Sequence, residues 1–248
     1  MTQKAGAQAN QSIIDGISVL QALATSEKPV GSRELARRLG MENTRVNRLL
    51  KTLASIGVVE QNVGRKYGPG PGMHVLATQS LYASGLLRNA IKPLEKLAYF
   101  GHTVALGVLW QDSVSFLYHA RPGMSSSEGI GRIGLRDATT SGIGMALLAL
   151  QPEEKVVHTY EGRDIPGYSE GLESLFKDLR EISRKGYARV EVHPEHAARL
   201  GKPVHTIAVP VGHPVSSAIA VSGWIPEANV SGIVEALRQA RQEIEAGI

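Results

Sequence analysis

Residues 32–67 read SRELARRLGMENTRVNRLLKTLASIGVVEQNVGRKY: a short helix, a tight turn, a second helix that is basic on one side, and a basic hairpin. That order of parts places one helix in a DNA major groove with a wing beside it. Ser32 is placed to accept from the free N–H groups of a helix beginning at Arg33, and Leu35, Ala36 and Leu39 recur at helical spacing. Gly40 stops that helix. After the turn, Glu42 and Asn43 can cap a second helix, in which Val46, Leu49, Leu50 and Leu53 share one apolar stripe. The opposite side carries Thr44, Arg45, Asn47, Arg48 and Lys51. Arginine pairs two-pronged with guanine and asparagine with adenine, threonine touches the thymine methyl, and lysine suits phosphate as a point charge. Arg45, Asn47 and Arg48 are therefore expected at base edges, and Lys51, Arg65 and Lys66 at phosphates. Ser32, Asn43 and Thr44 complete the expected DNA-binding set.

A polar helix face with a few cations can also be a solvated face. The neighbouring elements argue for the groove. Gly57 ends the helix, Val58 and Val59 start a strand, and Asn62-Val63-Gly64-Arg65-Lys66 makes a turn with two cations at its tip. A solvated helix needs no such wing.

The charge of the whole chain points the same way. Residues 1–75 hold ten Lys+Arg against five Asp+Glu, a balance of +5, whereas the remainder holds seventeen against eighteen, a balance of −1. One domain that binds phosphate by counterion release and another that binds something different would divide charge like this. A length of 248 residues suits two domains. With no cysteine, disulfides, thiolate nucleophiles and Cys-ligated zinc are excluded, which fits a reducing cytosol. The first residues, MTQKAGAQANQSIID, have no apolar signal core, and no stretch approaches the ~18 apolar residues of a membrane span, so a cytoplasmic location without membrane partners is expected.

Outside the opening stretch, Ile13, Ile17, Leu20 and Leu23 or Ala24 line one side of a first helix, expected to pack beneath the helix-turn-helix pair. Gly68-Pro69-Gly70-Pro71-Gly72 marks a boundary. The pattern is helical again from Met73 to about Phe100, with interruptions near Gly85 and Pro93. This gives a DNA-binding domain over 1–72, a linker helix over 73–88 and a second domain over 89–248. The apolar linker positions suit pairing of two chains, since readers of this kind bind paired half-sites as dimers. Strands are expected over 103–110, 113–119, 205–211 and 217–224, and helices over 142–150, 170–185 and 227–246. Hairpin-joined strands flanked by helices make the second domain an α+β sheet.

Three chemical readings of the second domain are weaker. Gly129-Ile130-Gly131-Arg132-Ile133-Gly134 has the spacing of a dinucleotide fingerprint but lacks the strand before it and the helix after it, so a loop is expected and no cofactor. His193, His196, His205 and His213 with Glu195 could ligate a metal, as in a metal-sensing repressor, yet Pro194 disfavours a helix there and no H-E-x-x-H is present. Ser141-Gly142-Ile143-Gly144 lacks the first glycine of a nucleophile elbow, and scattered His, Ser and Asp residues discriminate little, so a small-molecule hydrolase is the less favoured alternative. Binding without turnover is the expectation: neither catalytic nor metal-ligating residues are assigned.

Taken together, the chain resembles the IclR family of bacterial transcriptional regulators. The resemblance runs through Ser32-Arg33-Glu34-Leu35-Ala36, Val46-Asn47-Arg48-Leu49-Leu50-Lys51-Thr52-Leu53, Gly57-Val58-Val59-Glu60 and Tyr67-Gly68-Pro69-Gly70. It continues in Ser141 to Ala149, Ile207-Ala208-Val209-Pro210-Val211 and Ile219-Ala220-Val221-Ser222-Gly223. It implies a winged helix-turn-helix domain, a linker helix and a GAF-like effector-binding domain with a mainly antiparallel sheet flanked by helices. It also implies a homodimer or homotetramer on double-stranded operator DNA, acting as a repressor of a catabolic operon. The resemblance places a small organic acid or aromatic effector among Gly129, Ile130, Ser141, Gly142, Ile143, Gly144, Val204, Thr206, Ala220 and Ser222. Met145, Thr206 and Ala220 stand where the family usually has lysine, cysteine or serine, which implies an effector larger or less polar than glyoxylate or pyruvate.

Overall fold

Asn10 caps the first described helix: its side chain accepts the N–H groups of Ser12 at 3.1 Å and Ile13 at 3.4 Å at the start of α1 (Gln11–Ala24). The structure, a computed structural model, describes residues 9–131, 134–191 and 203–248 and divides into two units, Met1–Ala83 and Ser84–Ile248. In the first unit α2 (Ser32–Leu39) and α3 (Asn43–Ser55) follow, then the two-stranded antiparallel wing β1 (Val59–Gln61) and β2 (Tyr67–Pro69). Val19, Leu23, Leu35, Val46, Leu50, Val59 and Tyr67 form its core. Val30 joins the wing by exchanging backbone hydrogen bonds of 2.8 Å with Tyr67.

The expected helices are present, with two corrections. α2 starts at Ser32, and Gly31 with extended backbone holds the cap position, so Ser32 makes no side-chain cap. α1 buries Asp15, Gly16, Val19 and Leu23, while Ile13, Ile14 and Ile17 stay exposed. The expected Leu20 and Leu23 do pack against the core, whereas Ile13 and Ile17 do not.

α4 (Pro71–Ser84) completes the first unit and buries none of its residues. The helical run breaks at Gly85, whose φ of 62° is left-handed, and α5 (Leu86–Leu97) begins the second unit. The expected linker, 73–88, spans this break. Pro93 interrupts nothing; it is buried inside α5.

The second unit is built on a six-stranded antiparallel sheet of order β5-β4-β3-β8-β7-β6. Its strands are β3 (Thr103–Trp110), β4 (Ser113–Ala120), β5 (Arg136–Asp137), β6 (Ala188–Glu191), β7 (His205–Val211) and β8 (Ser217–Gly223). The helices are the short α6 (Ser126–Gly129), α7 (Gly142–Leu148), α8 (Glu153–Tyr160), α9 (Leu172–Lys185) and α10 (Glu227–Glu245). The α+β class is as expected; α8 and the short strands β5 and β6 were not anticipated, and α6, opened by a Ser125–Glu128 capping box, ends at Gly129 where only a loop was expected.

Strand alternation assigns the two faces different side chains. On one face Leu106, Ile219 and Val209 lie in cross-strand register and pack with Leu94, Leu97, Ile233 and Leu237 of α5 and α10. On the other, Ala105, Ala220, Ala208 and Ala188 form one row and Thr103, Ser222, Thr206 and Val190 the next. Small residues leave room for a closely seated helix. That helix is α7, buried over its whole length.

Candidate DNA-binding surface and effector site

The apolar stripe of α3 fixes which of its residues face out. Val46 and Leu50 are fully buried and Leu49 and Leu53 pack against the same core, which leaves Thr44, Arg48 and Lys51 exposed and Asn47 half-buried. Glu42 holds the cap position without a side-chain hydrogen bond, and Asn43, expected to help, has its Oδ1 buried without a partner among the described residues. Arg48, Lys51, Arg65 and Lys66 are exposed and make no ion pair among the described residues. The arginines of α2 differ: Glu34 accepts from Arg37 and Arg38 at 2.8 Å each. Those two side chains hold its carboxyl below the usual carboxylate range.

The wing tip is held by its own backbone. Asn62 N–H donates to the Lys66 carbonyl at 2.9 Å, Asn62 Oδ1 accepts from Lys66 N–H at 3.0 Å, and Arg65 adopts a left-handed φ of 56°. Both cations thereby sit on a defined turn beside Val63, which is fully exposed.

Arg45 departs from its expected place at a base edge. Its Nε forms an ion pair with Oδ2 of Asp15 in α1, and Gln11 Nε2 donates to Oδ1 of the same carboxylate at 2.8 Å. Asp15 was missed in the sequence; the only signal is a lone carboxylate within the apolar helix α1.

In the second unit, the structure brings several of the expected effector residues together. α7 starts at Gly142, where an added Cβ would lie 2.6 Å from the Thr206 methyl, and Thr206 Oγ1 hydrogen-bonds Ser222 Oγ at 2.9 Å. Ala220 lies in the alanine row beside them and Ile143 is buried in the same core. Ser141 Oγ accepts from Gly144 N–H at 3.4 Å, so one of the N–H groups at this helix start is already engaged internally. Val204 is buried just before β7. Gly129 and Ile130 are placed differently: Gly129 lies against Tyr118 and Ala120, whose side chains belong to the opposite core, and Ile130 bridges to Tyr118 on the edge of β4.

A cleft of about 310 Å³ opens beside this cluster, with Met145, Tyr168 and Ile182 on one side and Val190 and Arg189 of β6 on the other. Val190 is the cross-strand partner of Thr206, so the cleft adjoins the hydroxyl pair. Tyr168 donates to Asp178 at 2.9 Å and contacts Met145 Sδ at 3.8 Å. Burial first, and then that carboxylate, push the phenol's pKa up, so it stays a neutral donor at physiological pH. Neither Tyr168 nor this cleft was legible in the sequence.

Among the described residues, no group of three or more His, Asp or Glu side chains could hold a metal ion. His193, Glu195 and His196 lie outside the described residues. His213 faces Glu245 at 3.3 Å. No helix of the described residues is long and apolar enough to cross a membrane.

Comparison with known proteins gives this geometry a context. The IclR helix-turn-helix domain matches residues 13–63, and the bacterial transcriptional regulator IclR C-terminal domain matches residues 78–246. The HTH-type transcriptional regulator KdgR of Escherichia coli is 28% identical over 207 residues, covering 81% of this chain and 76% of its own. The transcriptional repressor IclR of the same organism is 29% identical over 205 residues, covering 77% and 72%. Among solved structures, an IclR homolog from Microbacterium hydrocarbonoxydans complexed with 4-hydroxybenzoate superposes with a TM-score of 0.65 at 22% identity, covering 95% of this chain and 98% of that one.

Proposed function

The chain belongs to the IclR family of DNA-binding transcriptional regulators, which are not enzymes, and on that premise we propose that it is an effector-responsive repressor of a catabolic operon. The observation that carries this reading is the outer side of α3 with the wing: Thr44, Asn47, Arg48 and Lys51 on a helix whose other side is locked in a core, flanked by Arg65 and Lys66. Arg48 and Asn47 read bases, while Lys51, Arg65 and Lys66 bind phosphate. Selection of duplexes from a fully randomised library by the full chain tests it: one sequence recovered is expected, and unselective recovery counts against it.

The operator is bound by two copies. α4 leaves Val75 and Leu76 more than half exposed, and α1 of the same unit leaves Ile13, Ile14 and Ile17 uncovered. Helices with such apolar sides are stable when another copy covers them. The variant Ile17→Asp with Leu76→Asp is expected to sediment as a smaller species than the wild type and to lose affinity for the selected duplex. An unchanged sedimentation coefficient would remove these helices from the interface.

The effector is a small aromatic acid. A cleft of about 310 Å³ lined in part by Met145, Tyr168, Ile182 and Val190 suits an apolar ring, and the acid group would take Arg189 from Glu227, with which Arg189 is ion-paired in the same cleft. The related structure holding 4-hydroxybenzoate supports this class. Calorimetry is expected to show 4-hydroxybenzoate binding and glyoxylate not. Tight glyoxylate binding without aromatic binding would reverse the assignment.

A further inference from the structure

Asp15 is the only charged side chain among the described residues that is buried, at 5% exposure. It lies on α1, away from the sequence of the reading helix, yet both its oxygens are committed: one accepts from Gln11 at 2.8 Å, the other is paired with the Arg45 guanidinium of α3. Arg45 stands one turn before Arg48 and is half-exposed, so from sequence the two arginines look equivalent. They are not. Arg48 makes no ion pair among the described residues, whereas moving Arg45 to a base edge would leave Asp15 buried and unpaired. Stranding a buried charge costs more than a single base contact returns.

We propose that Asp15 sets which residues α3 reads with: it holds Arg45 against α1 as a positioning residue and leaves Thr44, Asn47 and Arg48 to meet the bases. This rests on α3 being the reading helix. The pairing also fixes the rotation of α3, because an ion pair to a neighbouring helix resists turning about the apolar stripe.

The test uses the full chain and the randomised duplex library, followed by salt titration on the selected duplex. The neutral pair Asp15→Asn with Arg45→Gln keeps a hydrogen bond and is expected to fold. It should select the wild-type sequence with every position retained and give the wild-type slope of log affinity against log salt, with affinity several-fold lower. Asp15→Asn alone frees a guanidinium beside the groove and should steepen that slope by roughly 0.9 per subunit, the equivalent of one phosphate each. Arg48→Ala should lose preference at one position. If the neutral pair loses preference at one position while Arg48→Ala loses another, Arg45 reads a base and the proposal is overturned. If Asp15→Asn folds and gives the wild-type slope, the carboxylate is only structural and the proposal is overturned. If Arg48→Ala changes nothing, α3 is not the reader, and both readings fall together.

Discussion

Arg48→Ala is expected to lower affinity for the selected duplex by about 1 to 3 kcal/mol per subunit, roughly twice that for a dimer engaging two half-sites, and to relax preference at one base position. The size follows from where the side chain stands. Val46 and Leu50 are fully buried, so α3 cannot turn to offer a substitute, and Arg48 is exposed on the far side with no ion pair to break among the described residues. A bidentate guanidinium contact is therefore lost without compensation. Binding to random duplex should fall much less, because phosphate contacts dominate there. Fluorescence anisotropy on the selected duplex and on a scrambled one gives both numbers; equal losses on the two would make Arg48 a phosphate contact.

Gly144→Ala is expected to disrupt the second unit. An added Cβ would sit 2.2 Å from the Ala138 carbonyl oxygen and 2.4 Å from its Cα, and these are backbone atoms with no rotamer to yield. The clash falls in the first turn of α7, all of whose residues from Gly142 to Leu148 are buried, so the helix cannot shift away from Ala138 without disturbing that packing. Overpacking of this kind costs about 1 to 3 kcal/mol or more. For a domain of this size, each 1 kcal/mol lowers the melting temperature by roughly 2 to 4 °C. The effector site should fail with it, since Gly142 of the same helix bears on Thr206. Gly232→Ala is the contrast: this glycine is in the exposed part of α10 with nothing within 4 Å of an added Cβ, and the change should stabilise by about 0.5 to 1 kcal/mol. Thermal melts of the two variants in opposite directions are the expected result. A wild-type melt for Gly144→Ala would mean that α7 is less tightly seated than the contacts indicate.

Much of this architecture was legible because it rests on periodicity. The hairpins of β3 with β4 and β7 with β8 follow from alternation, and α9 ends at Gly186 as its composition requires. β6 was missed because four residues that include Arg189 give no clear alternation, and α8 because Pro152 before it reads as a loop when its cap role is unknown. The inward side of α1 was misjudged for a different reason. Hydrophobicity marks Ile13 and Ile17 as apolar but not what covers them, and within the chain the core takes Val19 with the expected Leu23, while Leu20 packs at its edge. Arg45 shows the same limit for charge: its residue type fits a guanine, and only the fold reveals the carboxylate of Asp15 beside it. The residues expected at the effector on α7, β7 and β8 rest on family resemblance, whereas the cleft at Tyr168 depends on α9 packing near β6, which no local pattern encodes.

The central claim, that α3 and the wing form the DNA-binding surface, is tested most directly by salt titration of the full chain on its selected duplex. The wild type should show a steep negative slope of log affinity against log salt, and Lys51→Ala, Arg65→Ala and Lys66→Ala should each flatten it by about 0.9 for every phosphate contact removed per subunit. A slope near zero in the wild type, or one that the triple variant leaves unchanged, would contradict the account.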